Sequence, residues 1–124
     1  MAQKRNRKKA SPTIPVAQLE QLIEDATVDA YGESEQATGF LTMIEEHIAL
    51  PFETEVLGTS VPVIQFDIDD RDQVVAICRR GSKKKTIHLA QLPLPSPPPP
   101  GAEWIAAYRH WRKEGRGPDD SEDE

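Results

Sequence analysis

The spacing of apolar positions changes along this chain, dividing it into a helical front, a stretch of strands and a helical end. From Val16 to Ala30, Leu19, Leu22, Ile23, Ala26 and Ala30 recur at the spacing of one helix face, with Glu20, Glu24, Asp25 and Asp29 off that stripe. Gly32 interrupts the pattern after Tyr31. Phe40, Leu41, Ile44 and Ile48 then predict a second helix over 35–48, ended by Pro51. Gly39 inside it costs about 1 kcal/mol relative to Ala. The segments FETEVLG, SVPVIQFD, VVAICRR and KTIHLAQL read as four short strands. Turn residues at Gly58, Asp69–Asp72 and Gly81-Ser82 make consecutive hairpins the simplest connection, and Pro62 demands an edge position or a bulge. LPLPSPPPPG is an extended, stiff connector. The last segment, AEWIAAYRHWRK, is a helix with Trp104, Ile105, Tyr108 and Trp111 on one stripe. The pattern predicts an α+β domain over residues 16–114. It has two N-terminal helices, an antiparallel sheet of about four strands that could curl into a small SH3-like barrel, and a C-terminal helix against the sheet.

Charge changes this picture more than overall composition does. Residues 1–9 carry five basic groups and no acid, and residues 119–124 carry five acids and no base. Blocks of like charge without apolar content are expected to be disordered, so residues 1–15 read as a basic arm and 115–124 as an acidic tail. Between them, residues 20–72 hold fourteen acids against one base, a net of −13, and residues 73–118 hold nine bases against two acids, a net of +7. The domain is therefore bipolar. With 124 residues there is length for one modest core. No apolar run is long enough to span a membrane, and no apolar segment follows the basic start as a secretory signal would require. Cys78 is the only cysteine, which excludes an intrachain disulfide and a cysteine-based zinc site. The expectation is a monomer in the cytoplasm.

Two acidic stretches are candidates for cation chemistry. FDIDDRDQ places Asp67, Asp69, Asp70 and Asp72 within six positions. An EF-hand loop needs oxygens at positions 1, 3 and 5, Gly at 6 and Glu at 12; counted from Asp67, those last three places hold Arg71, Asp72 and Cys78. The run can be a solvated turn or can donate carboxylates to another oxygen cage. In DAYGESEQ, Asp29, Glu33 and Glu35 surround a turn beside free carbonyls at a helix end, which suits a hard cation. The same glutamates also suit the positive end of the next helix. Transition-metal spacing is absent around His47, His88 and His110, no nucleophile–base pair is evident, and an apolar-flanked Cys78 is inert. RRGSKKK sets five cations on a hairpin tip. It fits either edge protection or a non-catalytic adaptor that contacts RNA or an acidic protein, though the exposed aromatics of an RNA platform are missing.

Taken together, DAYGESEQATGF, LPFETEVLGTSVPV, and VAICRRG followed by LPLPSPPPPGAEWIAAYRHW resemble the cyanobacterial calcium-binding protein family of the CcbP type, over roughly residues 16–114. The resemblance implies a small, acidic, non-catalytic protein that binds calcium without EF-hands and buffers or senses it. Asp29, Glu33 and Glu35 stand where the family's D-A-Y-G/N-E-x-E signature has its acids. Asp67, Asp69, Asp70 and Asp72 join the candidate ligands by their chemistry alone. The basic hairpin departs from a wholly acidic surface and leaves room for a protein partner.

Overall fold

The computed structural model describes residues 14–114. Residues 1–13 of the basic arm read over 1–15, and the whole acidic tail read over 115–124, therefore lie outside the described residues. Helix α1 is Val16–Thr27, α2 is Glu33–His47, and α3 is Ala102–Lys113. Strands β1 (Phe52–Val56), β2 (Thr59–Ile68), β3 (Val74–Arg80) and β4 (Lys83–His88) form one antiparallel sheet in the order β1-β2-β3-β4. The sheet is open. β1 and β4 stay apart at its two edges, so the barrel alternative is replaced by a helix layer on a meander.

Hairpin chemistry sets the register. Leu57 (φ 52) and Gly58 (φ 78) both take positive φ between the paired residues Val56 and Thr59, the signature of a type I′ turn whose twist matches its strands. Counting back from that closing pair, Pro62 faces Glu53 at a position that exchanges no backbone hydrogen bonds. The β2–β3 ladder starts only at Val63↔Cys78 and then shifts register before Gln65. Pro62 thus sits where β2 has no neighbour on its β3 side, just before a bulge, and its missing N–H costs nothing. β4, the edge strand, begins with Lys83, Lys84 and Lys85, all exposed. Charged side chains of this kind keep a bare edge from pairing with other chains.

The core lies between the sheet and the three helices. Phe40 of α2 meets Tyr108 (ring centroids 5.5 Å apart) and Trp111 (5.0 Å) of α3, and these two lie 5.8 Å from each other. Val63, Phe66, Val74, Ala76 and Cys78 close the cluster from the sheet. Two polar ties fix the layers. The Val74 N–H donates to Tyr108 Oη at 3.0 Å, joining the start of β3 to α3. Arg109 donates through Nε and Nη2 to the carbonyl of Leu89 and through Nη2 to that of Leu92, capping a 3-10 turn at Leu89–Gln91.

Burial, chiefly, pushes the Tyr108 phenol and the Cys78 thiol above their ordinary values. The unfolded chain therefore ionises first as pH rises. The stability these groups confer is complete below their ordinary values, near 8.5 for Cys and 10 for Tyr, and is lost above them. Tyr108→Phe should cost about 1–3 kcal/mol at pH 7, because Val74 keeps a buried, unpartnered N–H. Urea denaturation from pH 8 to 10.5 should also show a shallower alkaline loss in this variant than in the parent chain.

Candidate metal centre at the helix junction

A close helix crossing positions the first acidic stretch. A side-chain carbon on Gly39 would lie 2.0 Å from the backbone oxygen of Ala26. The glycine that weakens α2 as a helix is thus the residue that lets α1 lie against it. The five-residue connection Val28–Gly32 is consequently folded tightly between the two helices. Asp29 takes φ 64 there, a left-handed conformation that aspartate tolerates better than most residues. That turn ends α1 at Thr27, earlier than the periodicity predicts. α2 begins at Glu33, earlier than predicted, since Glu33 and Glu35 stabilise its positive end. The Tyr31 N–H donates to Glu35 Oε1 at 2.9 Å, fixing that carboxylate back over the turn.

The second acidic stretch is a three-residue loop, 70–72, between the hydrogen-bonded residues Asp69 and Gln73. The Asp72 N–H donates to the Asp69 carbonyl, and Asp72 (φ 61) is left-handed, the common turn-plus-bulge hairpin. Asp69 holds this loop together: its Oδ1 accepts the N–H groups of Arg71 and Gln73, each at 2.9 Å, and its Oδ2 lies 3.5 Å from His88 Nε2. Asp67 Oδ1 accepts the neighbouring Ile68 N–H. Asp70 is exposed at the loop tip.

The fold brings the two stretches together. Ser34, in the first turn of α2, donates to Asp72 Oδ1 at 3.2 Å across 38 residues of sequence. Beside this contact is an open depression of about 390 Å³, lined among others by Asp29, Ser34, Glu35, Thr38 and Thr42. Asp29 and Glu35 line this depression, and Asp72 is tied to its rim through Ser34. Glu33 is exposed on the first helical turn, and Asp67, Asp69 and Asp70 lie along the hairpin behind Asp72. The donor set is oxygen throughout, as a hard cation requires. Gln73, next to Asp72, adds a buried Oε1 that finds no hydrogen-bond partner among the described residues. These acids do not converge as a ready-made cage. Among the described residues, the group of three acid or histidine side chains whose ligating atoms fall within 4.8 Å of one another is Glu20, His110 and Glu114. Sequence reading missed that group.

Comparison with known proteins identifies the family. The model of the CcbP family, described as calcium binding, matches residues 20–112. The chain belongs to this family. The crystal structure of Anabaena CcbP superimposes with a TM-score of 0.70 at 19% identity, covering 87% of this chain and 99% of that one. A calcium-binding protein in its calcium-binding form superimposes with a TM-score of 0.62 at 20% identity, covering 79% of this chain and 91% of that one. At such identities the two structures establish a shared fold. No curated protein matches the chain. Among the described residues, no helix is long and apolar enough to cross a membrane. The comparisons give no support to an adaptor for nucleic acid or an acidic protein, and Arg79, Arg80 and Lys83–Lys85 are exposed on the β3–β4 hairpin.

If Gly39 sets the junction, Gly39→Ala should destabilise the protein. Helix propensity alone predicts a gain of about 1 kcal/mol. The clash with the Ala26 carbonyl should outweigh it and leave a net loss of about 1–3 kcal/mol in urea denaturation.

Proposed function

We propose that this protein binds calcium at the α1–α2 junction and acts as a non-catalytic, non-EF-hand calcium buffer in the cytoplasm. The observation that carries the reading is the Ser34–Asp72 contact, which draws two acidic segments to one place in a chain of the CcbP family. Asp29, Glu35 and Asp72 are the primary ligands. Glu33, Asp67, Asp69 and Asp70 supply further oxygens or negative field. The net −13 of residues 20–72 raises the local concentration of cations. The five-residue connection between α1 and α2 supports the non-EF-hand reading, because an EF-hand loop uses about twelve.

Calcium is favoured over magnesium on physical grounds. Calcium accepts 6–8 oxygens in flexible geometry, whereas magnesium demands near-ideal octahedral ligation and gives up water reluctantly. Carboxylates that face solvent without converging can close on the first ion and poorly satisfy the second. The same openness favours buffering over sensing, since sensing also needs an element with two discrete arrangements.

Calcium at 100 times its dissociation constant should add about 2.7 kcal/mol of stability. A thermal melt of chelator-stripped protein at about 0.15 M salt, with and without millimolar calcium, reads this directly. Asp29→Asn, Glu35→Gln and Asp72→Asn should each weaken binding by 1 kcal/mol or more, roughly the worth of one close charge contact. A melting temperature indifferent to calcium, or variants that bind like the parent, would overturn the assignment.

A further inference from the structure

Glu20 of α1 and Glu114, the residue after α3, both approach His110 of α3. His110 Nε2 lies 3.0 Å from Glu20 Oε2 and 3.7 Å from Glu114 Oε2. His110 and Glu114 are four residues apart and so share a helix face. The face is fixed, because Tyr108 and Trp111 on either side of His110 are fully buried in the core. The imidazole is itself only 14% exposed, while the two carboxylates, at 44% and 48%, keep one side toward water.

A hydrogen-bonded histidine accounts for part of this arrangement. A ring N–H has one proton, and the Glu20 contact at 3.0 Å uses it. Glu114 lies beyond hydrogen-bond range yet converges on the same nitrogen. The other described histidines do not show this convergence. His47 bonds the Met43 carbonyl of its own helix, and His88 has, among the described residues, one carboxylate, that of Asp69, within 4.0 Å. Tetrahedral bonds of 2.0–2.1 Å would set neighbouring ligand atoms about 3.3 Å apart, and the two observed separations straddle that value.

We propose that Glu20, His110 and Glu114 bind a divalent transition ion of the zinc class, at a site distinct from the calcium junction. One imidazole nitrogen with two carboxylate oxygens suits zinc, copper or nickel, and calcium, which wants oxygen alone, is a poor match. The ion would bind the lone pair of Nε2, with the ring proton moved to Nδ1 and the remaining position toward solvent. It would fasten the last turn of α3 to α1, whose other end leads into the Asp29 turn.

The test is calorimetric titration of the full, chelator-stripped chain with zinc chloride at pH 7.5 in saturating calcium. One equivalent should bind. His110→Gln and Glu114→Gln should each raise the dissociation constant at least about tenfold, the low end of what even a residue supporting a metal ligand contributes. Asp72→Asn should leave zinc binding intact. Cobalt(II) in place of zinc should give a visible absorption band that disappears in the His110→Gln variant. Should His110→Gln fail to fold, Glu114→Gln decides, because its side chain is half-exposed at the helix end. Absence of saturable zinc binding, binding unchanged by either variant, binding lost through His88→Gln, or stoichiometric displacement of zinc by calcium would each overturn the proposal.

Discussion

The close approach of α1 to α2 at Gly39 is the constraint on which the rest of the structure depends. It puts the Ala26 carbonyl where any side chain on residue 39 would stand. The next residue, Phe40, points the other way, into the aromatic cluster with Tyr108 and Trp111. One turn of α2 therefore sets both the contact that shapes the acidic junction and the contact that anchors α3 to the core. Tyr108 passes this order on to the sheet through Val74, next to the loop that carries Asp72. The site and the core are thus parts of one packing arrangement.

Electrostatics explains why the acids of this junction do not converge. Two carboxylates 4 Å apart repel by about 1 kcal/mol in water and about 4 at a protein surface, so an uncompensated cage would work against the fold. Here the acids are spread around a depression. Several are held by backbone amides: Glu35 by Tyr31, Asp69 by Arg71 and Gln73, and Asp67 by Ile68. Each of those bonds occupies one carboxylate oxygen and offsets part of the repulsion. Glu20, His110 and Glu114 differ: the imidazole lies between the two acids, 3.0 Å from one and 3.7 Å from the other.

Much of the fold can be read from the sequence, because period and turn chemistry are local. All three helices, four strands and three hairpins follow from them, within a few residues at the ends. The boundaries shifted where a local conformation prevailed over periodicity, as at Asp29, and where HLAQL folds into a 3-10 turn capped by Arg109. Gly39 was read correctly as poor for a helix, but its purpose depends on a neighbour that periodicity does not reveal. The candidate site divides in the same way. Its acids are plain in DAYGESEQ and DIDDRD, whereas the Ser34–Asp72 contact that unites them is a tertiary fact. Glu20 and His110 of this cluster lie 90 residues apart in sequence. Its only local trace is the i, i+4 spacing of His110 and Glu114, and Glu20 looked like one more solvated acid.

The central claim is that two sequence-distant acidic segments form one calcium site. It is tested most directly by following backbone amide resonances while calcium is titrated into the chelator-stripped protein. The account predicts that amides of residues 28–36 and 69–73 shift together and fit a single binding curve, with those of the β3–β4 hairpin unmoved. Two independent curves for these segments, or small shifts scattered over every acidic surface, would contradict it.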